Sequence, residues 1–178
     1  QASLKTFAWT IPDIVSNNVT IKIYNVDAPT VFDESDNAFK VKGKLIVISP
    51  NNGEVYNVGS SQVIQWSAAG TMGNVRVKFA QNGVDFSTIL TPEPAGVPAS
   101  DQNFTWNPVS DLLTTTGKIR VELISDATGV YDESDAAFAI KGTFTMTYPN
   151  GGETLFVGDP CTITWTKNGT LGNVELRY

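Results

Sequence analysis

Apolar and polar residues alternate along most of this chain. Leu45 and Val47 form one alternating set, Ile64 and Trp66 a second, and Val75, Val77 and Phe79 a third. Phe104 and Trp106 follow, then Ile119, Val121 and Leu123, then Phe138 and Ile140. A period of two places each set on one face of a β-strand. The intervening Gln65, Arg76, Lys78, Thr105, Arg120 and Glu122 are predicted to face water. Turn signals separate the strands: Pro50-Asn51-Asn52-Gly53, Gly70 to Asn74, Asn82-Gly83 and the proline-rich stretch Thr91 to Pro98. No stretch holds a period of 3.6. About seven short strands are predicted between residues 43 and 141, the pattern of an all-β, immunoglobulin/fibronectin-like antiparallel β-sandwich. Trp66 and Trp106 are predicted to anchor its core.

The pattern then repeats. Val31–Gly43 (VFDESDNAFKVKG) recurs 99 positions later as Val130–Gly142 (VYDESDAAFAIKG). The same shift carries Ser49–Gly59 onto Tyr148–Gly158, Trp66 onto Trp165, and Gly70-Thr71 onto Gly169-Thr170. It also carries Gly73-Asn74-Val75 onto Gly172-Asn173-Val174. A slightly shorter shift carries Phe7-Ala8-Trp9 onto Phe104-Thr105-Trp106. Matching blocks in constant order mark a tandem array of β-sandwich repeats. Residues 43–141 are expected to form one complete repeat. Residues 1–42 match the C-terminal half of a repeat, and residues 142–178 match the N-terminal half of the next. Only the counterpart of residues 80–98 is missing from the two halves taken together. Two readings follow: a window on a longer array, or a unit whose halves are completed head-to-tail by a neighbouring copy. Either one requires a neighbour, because half a sandwich exposes an apolar face and open strand edges. The repeats abut without a flexible linker, from Val41 through Lys42-Gly43 to Leu45, and from Ile140 through Lys141-Gly142 to Phe144. Connections this short favour a stiff rod.

Composition narrows the function. Of the 178 residues, 41% are hydrophobic and 17% charged, so the chain can bury a core. Thr, Ser, Asn and Gly fill the surface, as in many secreted β proteins. The net charge is −6 and the basic residues do not cluster, which argues against nucleic acid and against an anionic membrane surface. No apolar run approaches the roughly 18–20 residues that span a bilayer. The chain begins at Gln1 rather than Met and is read as a mature or excised segment. It contains no histidine, which removes Ser-His-Asp and Cys-His catalysis and nearly all catalytic zinc chemistry. The expectation is a protein that is not an enzyme. The single cysteine, Cys161, allows no intrachain disulfide. It shares parity with Ile163 and Trp165 and is predicted to be a buried, inert thiol.

The motifs P-N-G-G-E, I-x-W, G-T-x-G-N-V, F-x-W and V-[FY]-D-E-S-D-x-A-F occur in this order. This string resembles the immunoglobulin-like domain of the Ser-Thr-rich, glycosylphosphatidylinositol-anchored membrane family, named for yeast cell-wall β-glucan assembly proteins. It is also similar to repeats in bacterial and archaeal surface proteins. The resemblance implies a β-sandwich at the cell surface and brings no catalytic residues with it.

The candidate sites lie in the repeated acidic turns. Asp33, Glu34 and Asp36 recur as Asp132, Glu133 and Asp135. Carboxylates clustered in a surface turn offer oxygen ligands of the kind calcium takes, and an ion near a junction would stiffen a rod. The plainer reading is a solvated turn in which Ser35 or Asp36, and Ser134 or Asp135, bond their own backbone. No other cofactor is expected. Paired carboxylates also serve glycoside hydrolysis, but a catalytic site is seldom copied in every repeat. Asn18, Asn103 and Asn168 each begin an N-x-Thr sequon, at unmatched repeat positions. The favoured function is a structural or adhesive component of an extracellular fibre, stalk or surface filament. Its partners would be other copies of the chain or adjacent repeats of the same chain. The alternative is a carbohydrate-binding or cell-wall-associated module that meets surface glycans through Phe32, Tyr56, Tyr131 or Phe156.

Overall fold

The computed structural model describes residues 5–178, and all of its regular elements are strands apart from two 3-10 turns at Ala99–Asp101 and Ile124–Asp126. Four short strands come first: β1 (Ser16–Val19), β2 (Lys22–Tyr24), β3 (Phe32–Glu34) and β4 (Phe39–Val41). Ten follow, namely β5 (Lys44–Ser49), β6 (Val55–Asn57), β7 (Gln62–Ala69), β8 (Asn74–Ala80), β9 (Thr88–Ile89), β10 (Val97–Pro98), β11 (Asn103–Trp106), β12 (Thr114–Leu123), β13 (Tyr131–Glu133) and β14 (Phe138–Lys141). The last two are β15 (Thr143–Tyr148) and β16 (Thr164–Asn168). No helix is long and apolar enough to cross a membrane among the described residues.

Strands β5 to β14 make an immunoglobulin/fibronectin-like sandwich. One sheet has the order β11-β7-β5. The other has the order β10-β8-β12-β14-β6, with β9 on β8 and β13 on β12. The two inner faces carry the alternating apolar residues. Leu45, Val47, Ile64, Trp66, Val75, Val77, Phe79, Trp106, Ile119, Val121, Leu123, Phe138 and Ile140 are all buried, and Phe104 is half-buried. Phe79 stacks at 5.2 Å on Trp106 and 5.8 Å on Phe138, and Phe138 meets Tyr56 at 5.2 Å. The Trp66 indole N–H is satisfied by the Ala99 carbonyl at 3.0 Å, as a buried donor requires.

The flanking segments reproduce parts of this sandwich, strand for strand. β15 pairs with β16 in the register of β5 with β7, including the same irregularity: Met146↔Trp165 answers Val47↔Trp66, and Tyr148↔Thr164 answers Ser49↔Gln65. β2 pairs with β3 as β12 pairs with β13, with Lys22↔Glu34 answering Arg120↔Glu133. β1 pairs with β4 as the start of β12 pairs with β14. Three other segments stay coil. Residues 6–9 answer β11, residues 154–156 answer β6, and residues 173–178 answer β8. In the complete sandwich each of those strands is hydrogen-bonded to a strand of the opposite half: β11 to β7, β6 to β14, β8 to β12. A strand forms where its partner is present and is lost where it is not.

Two expectations fail. Glu122 does not face water and is only 2% exposed. Pairing of β8 with β12 sets Arg76 opposite Glu122 and Lys78 opposite Arg120. The long side chains of all three cations close over the carboxylate. Lys78 Nζ lies 2.8 Å from Oε1, Arg76 Nη1 3.7 Å from it, and Arg120 Nη1 4.0 Å from Oε2. The Lys78 approach is short but off the hydrogen-bonding direction, so Oε1 is ion-paired without a hydrogen bond. Cys161 is exposed rather than buried and precedes β16 instead of lying in it. Its counterpart Gln62 pairs with Trp106 on β11, whereas nothing equivalent covers residues 161–163.

Candidate functional site

The acidic turn of the complete repeat is a staple between the two sheets. Asp132 Oδ2 accepts the Val47 N–H at 2.7 Å, at the point where β5 leaves regular register with β7. Ser134 is buried; its hydroxyl donates to the Pro50 carbonyl at 2.8 Å and accepts the Ile119 N–H at 3.1 Å. Asp135 accepts from Asn51 Nδ2 at 3.1 Å, and its backbone N–H donates to Asn51 Oδ1. Glu133 turns to the outer face and accepts from Arg120 Nε at 2.9 Å. Arg120 also lies over the rings of Phe86 and Tyr131. The three carboxylates therefore take three separate partners. Among the described residues, no three acidic or cysteine side chains converge as a metal site would need.

The first acidic turn makes only the local half of this arrangement. Ser35 accepts the Ile21 N–H at 2.7 Å, as Ser134 does with Ile119. Glu34 accepts from Thr20 at 2.8 Å, and Lys22 lies 3.7 Å over the Phe32 ring, as Arg120 lies over Tyr131. Asp33 and Asp36 accept no side-chain or backbone hydrogen bond from the described residues.

A second arrangement, absent from the motif reading, occurs twice at the repeat junctions. Asp13 accepts from Thr71, at 2.7 Å from its backbone N–H and 2.6 Å from its hydroxyl. Asp111 accepts the Thr170 hydroxyl at 2.6 Å. In each case an aspartate of one repeat clasps the Gly-Thr turn of the next. Gly70 and Gly169 precede those threonines with φ of +91° and +89°. At each, a side chain would crowd the junction. A Cβ at Gly70 would sit 2.9 Å from Val15 and 3.3 Å from the Gly43 Cα. At Gly169 it would sit 3.2 Å from the Asp111 carboxylate, from Val58 and from the Gly142 Cα. The threonine hydroxyl holds the Asp13 carboxyl below its ordinary pKa, helped by the Thr71 backbone N–H, and Asp111 is lowered in the same way by Thr170. At the first junction Lys42 adds an ion pair to Asp126 at 2.7 Å, beside a crevice lined by Val15, Lys40, Leu123 and Val130. The equivalence of Asp13 and Asp111 rests on a shift of 98 rather than 99, and that slip hid it from the repeat alignment.

The aromatic residues proposed for glycan contact are scattered. Tyr56 is in the core, Phe32 and Tyr131 lie under cations, and Phe156 is exposed on a coil segment. Asn18, Asn103 and Asn168 are all exposed.

No family model matches the chain, and no curated protein matches it. The likeness to the Ser-Thr-rich family thus remains one of motifs. Among solved structures, the chain is similar to the fibronectin(III)-like modules of Clostridium thermocellum CbhA, at 19% identity and a TM-score of 0.33. The match covers 70% of this chain and spans 62% of the length of that one.

Proposed function

We propose that the chain is a non-catalytic structural element of an extracellular or cell-surface rod built from stacked β-sandwich repeats. The observation that carries this reading is the clasp that occurs at both junctions, Asp13 on Thr71 and Asp111 on Thr170. Two junctions made the same way set successive repeats at one repeated angle, and repetition of one angle generates a straight or helical rod. Load passes between repeats through a connection of one or two residues and a charged hydrogen bond, not through a free linker. The absence of histidine, the engagement of the acidic-turn carboxylates in strand-to-strand bonds, and the motif resemblance to surface proteins support the same reading.

Small-angle scattering tests it. At a concentration where it is monomeric, the wild-type chain is expected to give an elongated particle of fixed maximum dimension. Asp13→Ala/Asp111→Ala is expected to broaden the distance distribution while the central sandwich keeps its unfolding midpoint. An unchanged profile would show that the clasps do not fix the repeats. Binding of the wild-type chain to a cell-wall glycan panel would favour the carbohydrate-binding module instead.

A further inference from the structure

The complete sandwich is entered through its first strand and left through its last. The chain enters β5 from Gly43, beside Gly70 at the first junction, and leaves β14 into Gly142, beside Gly169 at the second. β5 and β6 run from the first junction to the second, where Val58 meets Gly169. β14 runs parallel to β6 and ends at the same junction. Tension along the rod therefore pulls β5 and β6 toward one end and β14 toward the other. These strands must slide past each other before the core can open.

The bonds that resist the slide come from two motifs that recur in the sequence. Pro50-Asn51-Asn52-Gly53-Glu54 lies between β5 and β6, and Asp132-Glu133-Ser134-Asp135 leads into β14. The Ser134 hydroxyl donates to the Pro50 carbonyl at 2.8 Å, and Asn51 and Asp135 exchange two bonds. The Ala139 N–H donates to the Glu54 carbonyl at 2.9 Å. Asp132 holds the Val47 N–H of β5, and the Val58 N–H donates to the Lys141 carbonyl at the far end. The Glu54 carboxylate closes its own loop by accepting the Asn51 and Asn52 N–H groups, as Glu153 does with Asn150 and Gly151. The bonds between the motifs lie across the direction of pull, so sliding strains them together instead of one after another.

We propose that the two recurring motifs are the halves of a mechanical lock, which ties the entry strands of a repeat to its exit strand and keeps the sandwich folded under axial tension. This inference rests on the rod reading above and assigns the bonds that carry the tension within a repeat. It gives the acidic turn a function that needs no cation. Each motif supplies the partners of the other, across about 84 residues of chain. Forced unfolding is governed by the barrier to opening, so the lifetime of the fold at a fixed tension reads the lock directly.

The test is single-molecule force spectroscopy on the full chain in two directions of pull, in a Cys161→Ser background so that introduced cysteines are the sole attachment points. The axial pair is Lys44→Cys with Lys141→Cys, and the peeling pair is Asn82→Cys with Thr115→Cys, all at exposed positions. The peeling pair sits at adjacent ends of β8 and β12, whose ladder opens one bond at a time. With the lock intact, the axial lifetime at a fixed tension is expected to exceed the peeling lifetime. Ser134→Ala is expected to shorten the axial lifetime about tenfold and to leave the peeling lifetime unchanged. Asn51→Ala, which lies outside the core, is expected to do the same. Equal shortening in both directions would make these bonds ordinary contributors to stability, and an unaltered axial lifetime would remove them from the load path. Either result would overturn the proposal. Neither bears on the angle between repeats that scattering reads, so the lock and the rod reading fail separately.

Discussion

At the residue scale, three side chains show what period-two alternation can and cannot reveal. Trp66 was legible: its parity puts it inside, and it is 1% exposed. Trp66→Ala is expected to cost about 3–5 kcal/mol in urea unfolding of the complete repeat. Glu122 was not legible. Parity correctly puts it on the outer face, but burial there depends on three long cations from two strands meeting over it. Glu122→Gln is expected to cost about 1–3 kcal/mol and leave the loss little changed by salt, since the carboxylate is shielded from solvent. A loss that vanishes in high salt would show that the ion pairs act as surface pairs. Ser134 is the third. Removing its hydroxyl strands the Pro50 carbonyl and the Ile119 N–H, so Ser134→Ala is expected to cost about 1–3 kcal/mol by the same measurement.

At the element scale, the strands with long alternating runs were legible and the short ones were not. β9 and β10 have two residues each, too few to alternate, and they are held by pairing with β8. Cys161 shows the opposite error: its parity is that of a strand, but residues 161–163 have no partner to bond. Alternation marks a capacity to form a strand, and hydrogen-bonding partners decide whether it forms. The acidic turn left two readings open in the sequence, a cation site and a plain turn. The strand geometry sends Asp132, Glu133 and Asp135 to a backbone amide, an arginine and an asparagine, partners that only the folded sheets bring near. The clasps are elements of this kind, since Asp13 and Thr71 are 58 residues apart and no local pattern joins them. Gly70→Ala places a side chain at φ of +91° and against Val15. The expected outcome is a loosened first junction, seen as a broader distance distribution by scattering, with the second junction unaffected.

At the scale of the whole molecule, stiffness is linked to pH through the clasps. Asp13 and Asp111 have lowered pKa values when clasped, so clasping is favoured while they are ionised. That contribution is complete above the free aspartate value of about 3.9 and is lost as pH falls through the lowered clasped value. At a concentration where it is monomeric, the chain is therefore expected to keep its maximum dimension from neutral pH to about pH 4. Below that it should become flexible, with tryptophan fluorescence reporting that the central core is still folded. Flexibility that appears instead near neutral pH would assign the junction to other groups.

The most direct measurement is electron microscopy of the native material that carries these repeats, at a resolution that traces strands. Successive sandwiches are expected to sit at one repeated angle, with an aspartate of each repeat clasping the Gly-Thr turn of the next as Asp13 clasps Thr71 and Asp111 clasps Thr170. Sandwiches at variable angles, or junctions in which the aspartates do not reach the threonines, would contradict it.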